Sequence, residues 1–123
     1  MKRIAIVTGA SRGIGREIAK MLAKEDIQVI ANYNNSEKKA IELQEELKKE
    51  NINIDIFKAD ISKREDARKL VEYTLEKYKK IDILVNNAGI SEYKMFTEET
   101  DSDWNRVINN NLYSAFVMCQ EVI

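Results

Sequence analysis

The sequence predicts an α/β domain, a parallel sheet of four strands in the order 3-2-1-4 with helices on both faces. Three observations carry this. Short apolar runs alternate with longer stretches of helical periodicity, giving the order βαβαβαβα. A glycine-rich turn, Thr8-Gly9-Ala10-Ser11-Arg12-Gly13-Ile14-Gly15, joins the first strand to the first helix. A second polar turn, Asn86-Asn87-Ala88-Gly89, leaves the fourth strand. Right-handed crossovers would bring both turns together beyond the carboxyl ends of strands 1 and 4, where open sheets of this kind bind ligands.

The elements follow in order. Ile4-Ala5-Ile6-Val7 is the first strand, and Ile14, Ile18, Met21 and Leu22 form the apolar stripe of a helix ending near Asp26. Val29-Ile30-Ala31 reads as a buried strand and Asn32 to Ser36 as the turn after it. Ser36 is placed to cap a helix buried along Ala40, Leu43 and Leu47. From Asn51 to Phe57, Ile52, Ile54 and Ile56 alternate with polar residues, the pattern of a strand at a sheet edge. Asp60-Ile61-Ser62 ends that strand, with Ser62 a candidate cap for a helix through Ala67, Leu70, Val71, Thr74, Leu75 and Tyr78. Ile81 to Val85 is the fourth strand. A polar loop then runs to Asp101 or Ser102, either able to cap a last helix. Its lined side is Trp104, Val107, Ile108, Asn111, Leu112, Ala115 and Cys119. No linker, repeat or low-complexity tract interrupts residues 1–123, which read as one domain.

Composition narrows the classes. The chain is 44% hydrophobic and 33% charged, enough of each for a globular core with a solvated surface. Twenty basic and twenty-one acidic residues give a net charge of -1, so nothing in the balance points to nucleic acid or an anionic membrane. The longest apolar runs are strand-sized, far short of the roughly 20 residues that cross a bilayer. The run after Met1-Lys2-Arg3 is too short for a signal peptide. A single cysteine, Cys119, allows no internal disulfide and points to a reducing cytoplasm. Asn34-Asn35-Ser36 matches a glycosylation sequon, read here as chance in a cytoplasmic chain. The absence of histidine argues against zinc and iron sites, so no metal is expected.

Glycine usage is more telling. The four glycines, at 9, 13, 15 and 89, all fall in the two turns, and there is no proline. Glycine allows positive φ and lets a backbone approach a bulky anion closely. The helix that follows aims free N–H groups and its positive dipole end at the same anion. The spacing G-x-x-x-G-x-G is a variety of the dinucleotide fingerprint, with Gly15 where helix and strand must lie close. An ordinary βα turn is the plain alternative, which the second turn at the same crevice makes less attractive.

These residues resemble the short-chain dehydrogenase/reductase family. The matching motifs are Thr8-Gly9-x-x-x-Gly13-Ile14-Gly15, Asp60 after strand 3, Asn86-Asn87-Ala88-Gly89 after strand 4, and Asn111 in the last helix. The resemblance covers the whole chain and is closest to the 3-oxoacyl-[acyl-carrier-protein] reductases. It implies a Rossmann-like fold and a nicotinamide dinucleotide as partner. Gly9, Ser11, Arg12, Gly13, Ile14 and Gly15 would hold the adenosine ribose and pyrophosphate. Asp60 and Ile61 would contact the adenine. Asn87, Ala88 and Gly89 would face the middle of the cofactor, while Asn86 would tie the central strands together. Asn111 would help hold a water in the proton relay, a catalytic role. Charge argues for NADP over NAD. Tyr33 and Asn34 stand where an acid would accept from the ribose hydroxyl, and no acid follows until Glu37. Arg12 could pair with a 2′-phosphate, or stand solvated without a partner.

The family's chemistry needs a phenol that donates a proton, a lysine four residues on and an upstream serine. In the family these follow the Asn111 helix, and the sequence ends at Ile123 before them. Its one Tyr-x-x-x-Lys match, Tyr73 to Lys77, lies in the helix before strand 4 and reads as ordinary surface and core. The chain therefore looks like the amino-terminal half of a reductase acting on a ketone, such as a 3-oxoacyl thioester. On this reading strand 4 is an open edge, and the chain pairs with itself or with its missing carboxyl-terminal half. A non-catalytic nucleotide-binding or interaction module and a flavodoxin-like binder are the competing readings. A flavin-phosphate site would need neither Asp60 nor the Asn86–Gly89 turn.

Overall fold

The computed structural model describes residues 2–89 and 95–123. Four parallel strands, β1 (Ile4–Val7), β2 (Gln28–Tyr33), β3 (Asp55–Lys58) and β4 (Ile83–Val85), form a sheet in the order β3-β2-β1-β4. Ile6 of β1 lies in register between Ile30 of β2 and Leu84 of β4. The helices α1 (Gly13–Lys24), α2 (Glu37–Lys48) and α3 (Arg64–Tyr78) fill the first three crossovers. After β4 come a short 3₁₀ turn (Phe96–Glu98), α4 (Asp101–Ile108), a π-helical turn (Asn109–Tyr113) and α5 (Ser114–Val122). This is the predicted Rossmann-like sheet with helices on both faces.

Alternation along β1 divides the core. Ile4 and Ile6 face Leu70 and Val71 of α3 and Val117 and Met118 of α5. Val7 faces the other way, with Ala19 and Ala23 of α1 and Leu43 and Leu47 of α2. β1 and β2 are covered on both faces, and so read as continuous apolar runs.

Several elements differ from their sequence-based outline for identifiable reasons. The buried face of α1 is Gly15, Ala19 and Ala23, while Ile14 and Met21 are exposed. Small residues face inward because this helix lies very close to the turn that precedes it. β2 continues through Asn32 and Tyr33, both buried, where a turn was expected. β3 begins only at Asp55, since α2 is closed by Asn51 in the left-handed conformation and Ile52 donates back to Leu47. Ser36 stands at the N-cap of α2, but its side chain makes no capping bond there. Lys63, not Ser62, precedes α3; the Ser62 hydroxyl bonds Asp60 instead.

Ile81 and Asp82 lie outside β4. The Asp82 carboxylate accepts the Ile4 N–H at 2.7 Å, which with Lys80 holds its pKa below the usual carboxylate range. Neither Asp101 nor Ser102 caps α4. Thr100 does, in a reciprocal pair with Asp103: each side chain accepts the other's backbone N–H at 3.0 Å.

The last helix departs furthest. Its buried residues are Ser114, Val117 and Met118, whereas Trp104, Leu112 and Cys119 of the expected inner stripe are exposed. The departure begins before the π-helical turn: the inward positions Asp103, Val107, Asn110, Ser114, Val117 and Glu121 keep helical spacing through it, one residue out of step with the expected stripe. Among the described residues, no helix is long and apolar enough to cross a membrane.

Candidate functional site

Both turns meet at the carboxyl ends of β1 and β4. One hydroxyl joins them. Thr8, fully buried, accepts the N–H groups of Asn87 and Ala88, each at 3.0 Å, and donates to the Val85 carbonyl at 3.3 Å. That uses the whole capacity of a hydroxyl. The Asn87 amide then donates to the Gly9 carbonyl at 3.1 Å.

Glycine is needed where these segments touch. Gly9 has φ +62°, and a Cβ there would lie 2.8 Å from the Ala88 Cα. A Cβ on Gly15 would overlap the Gly9 carbonyl and the Asn87 amide. Gly89 is pressed in the same way against the side-chain oxygen of Asn111. Gly13 is different: φ is again +62°, but the space beside it is open.

Asn32 anchors the turn from the other side. Its side-chain oxygen accepts the Gly9 N–H at 3.3 Å, and its amide donates to the Ala59 carbonyl at 3.1 Å. Its own carbonyl accepts the Ala10 N–H at 2.8 Å. Sequence reasoning placed Thr8 at the head of the glycine-turn motif without a role for its hydroxyl, and missed Asn32. The signal available was a polar residue at the end of an otherwise apolar buried strand, which must find partners there.

These contacts frame a cavity of about 360 Å³, within the range of roughly 300–1,000 Å³ common for small-molecule sites. Gly9, Ser11, Arg12 and Gly13 line it on the β1 side, and Asn34 lines it after β2. Asp60 and Ile61 line it after β3, and Asn87, Ala88 and Gly89 after β4. Three expected site residues are not in the cavity lining. Ile14 is 73% exposed on the outside of α1. Gly15 is buried in the packing of the two turns, and Asn110 rather than Asn111 reaches the cavity wall. Asn111 stands behind Gly89. Among the described residues the Asn86 amide donates to Cys119 Sγ at 3.4 Å, while Thr8 and Asn87 join β1 to the second turn.

The polar groups suit a phosphorylated nucleoside. Arg12 precedes α1 with extended backbone and makes no side-chain cap bond, so the first N–H groups of the helix have no side-chain acceptor there. Open space at Gly13 leads to them. An uncapped helix N-terminus beside a cation is a setting for a diphosphate. Asp60 is fixed by accepting the Ser62 hydroxyl at 2.6 Å and the Ser62 N–H at 3.1 Å. Tyr33 is buried in the wall near Glu37; burial first, and then that carboxylate, raise its pKa.

The Tyr73–Lys77 pair has a different employment. Tyr73, Tyr78 and Lys77 all converge on the Asp55 carboxylate, at 3.0, 2.8 and 3.1 Å. Burial, then the Asp55 hydrogen bond, push Tyr78 up to about 12, and the same causes raise Tyr73. A proton-donating phenol needs the opposite shift. This cluster fastens α3 to the edge strand.

A parallel sheet whose cavity lies between a glycine turn and an Asn-Asn-Ala-Gly turn defines a dinucleotide-binding α/β domain. The short chain dehydrogenase profile matches residues 3–123, and the chain belongs to that family. It is 36% identical over 122 residues to the 3-oxoacyl-[acyl-carrier-protein] reductase FabG of Staphylococcus epidermidis, covering 99% of this chain and 50% of the relative. It is 39% identical to a hydroxynaphthalene reductase-like protein of Metarhizium guizhouense, covering 96% of this chain and 44% of the relative. Among solved structures, a dehydrogenase/reductase from Sinorhizobium meliloti superposes with a TM-score of 0.94 at 33% identity, over 98% of this chain and 48% of the other. A Serratia marcescens short-chain dehydrogenase/reductase variant gives 0.92 at 32% identity, over 98% and 49%. The chain thus spans about half the length of the relatives it matches. Membership implies a nicotinamide dinucleotide as cofactor.

Proposed function

We propose that this chain is the cofactor-binding part of an NADP-dependent oxidoreductase that reduces a ketone, with a 3-oxoacyl thioester as the leading substrate. The observation that carries the reading is the cavity shared by the two turns, with Arg12 at the uncapped start of α1. In this reading Gly9, Ser11, Gly13 and the α1 amides hold the diphosphate, and Arg12 with Asn34 takes the 2′-phosphate. Asp60 accepts from the adenine amine, beside Ile61. Asn87, Ala88 and Gly89 support the middle of the dinucleotide, and Asn111 acts through Gly89 and a relay water. Ile14 and Gly15 serve as part of the same turn, Gly15 by packing. The bound nicotinamide supplies the hydride. The one Tyr-x-x-x-Lys pair is committed to Asp55, so the chain alone binds cofactor and does not turn over.

The test is a fluorescence titration of the purified chain with NADPH and NADH, followed by an NADPH oxidation assay with an acetoacetyl thioester. NADPH binds more tightly, and no oxidation follows. Arg12→Ala weakens NADPH by about tenfold and NADH much less, since a charge-assisted pair to the 2′-phosphate is what it removes. Failure of both dinucleotides to bind would sink the reading.

A further inference from the structure

The glycine turn and the stretch leading into α2 are two walls of the cavity, at the end where Arg12 and residues 34–36 lie. One side chain behind the wall joins them. Arg16, in the first turn of α1, directs Nη1 to the Ser11 carbonyl at 3.4 Å and to the Lys39 carbonyl at 3.2 Å. Its Nη2 donates to Glu46 on α2 at 2.7 Å. Lys20 grips the same carboxylate at 3.0 Å, and Lys20 first, then Arg16, lower the Glu46 pKa. The Ser11 carbonyl belongs to the peptide that leads into Arg12, and Lys39 sits in the first turn of α2. One guanidinium therefore spans both walls of the cavity.

We propose that Arg16 is a positioning residue for the cofactor, setting the gap between the glycine turn and α2. This rests on the dinucleotide reading above. By holding Ser11 from behind, Arg16 fixes the direction of the peptide that carries Arg12. By holding Lys39, it fixes residues 34–36 opposite. Arginine suits the task because its planar fork reaches three acceptors at once. A lysine keeps the charge but, as a point donor on a flexible stem, does not hold both carbonyls and Glu46 in one geometry.

The experiment titrates NADPH and NADH into the wild-type chain and into Arg16→Lys, Arg16→Gln and Glu46→Gln, with a thermal melt of each. Both Arg16 variants weaken NADPH binding by about tenfold while still folded. Glu46→Gln, which removes the charge from that acceptor and so loosens the guanidinium while leaving the carbonyl bonds, weakens it by roughly threefold. A purely structural role would lower the melting temperature and leave the affinity of folded protein unchanged, and that result overturns the proposal. If the Arg16 variants do not fold, Glu46→Gln decides: unchanged affinity in this surface variant also overturns it. Wild-type binding with unaltered variants removes this inference alone, whereas a wild-type chain that binds neither dinucleotide removes the dinucleotide reading with it.

Discussion

Thr8 accepts two backbone N–H groups from the Asn86–Gly89 turn and donates to the last carbonyl of β4. Thr8→Val keeps the shape and leaves both N–H groups without that acceptor. An unsatisfied buried donor costs about 1–3 kcal/mol, so the urea midpoint should fall by that equivalent and NADPH affinity should fall with it. Thr8→Ser should recover most of both. A valine variant as stable and as tight as wild type would show that the two turns hold together without the hydroxyl. Thr8 and Asn32 were hard to read from sequence for one physical reason. A buried polar residue contributes nothing to a hydrophobic period, and its value depends on partners distant in the chain. The glycines were legible, because a chain with only four of them, all in two turns, marks where backbones bend or touch.

At the level of elements, β1 was readable to the residue, and the strand order followed from the alternation of elements. Phase was less readable. Periodicity weights large side chains, so it favoured Ile14 and Met21 on α1. The inner face is Gly15, Ala19 and Ala23, with Ile18 and Leu22 of the expected stripe packed partly buried beside it, because Gly15 must fit against Gly9 and Asn87. The last helix fails for a different reason. Its inward positions, Asp103, Val107, Asn110, Ser114, Val117 and Glu121, keep helical spacing throughout, but four of the six are polar. An apolar stripe anchored on Trp104, which is exposed, therefore lands one residue off. Met118→Ala tests the observed face. It should cost about 2–5 kcal/mol, read as a lower midpoint in urea unfolding followed by circular dichroism. Leu112→Ala, on the exposed face, should change the midpoint little. Equal midpoints for the two variants would mean that α5 does not bury Met118.

The two edges of the sheet differ, and the difference bears on the whole molecule. β3 carries Asp55 and Lys58, and Asp55 is held by three groups of α3. A charged, tied-down edge resists further pairing. β4 is Ile-Leu-Val, pairs with β1 alone among the described strands, and is half-buried throughout. Large apolar side chains stand exposed elsewhere on the surface, Met21 on α1 and Trp104, Leu112 and Phe116 on the last helix among them. An open apolar edge with uncovered helix faces favours association, through strand pairing and burial of apolar surface together. The chain in isolation should therefore self-associate with rising concentration. Light scattering should give a mass climbing above that of one chain, and amide exchange along β4 should slow over the same range. Both signals are needed, because burial of the helix faces alone would raise the mass and leave β4 exchanging freely. A one-chain mass at every concentration, with fast exchange at β4, would mean that this edge is protected within the single molecule.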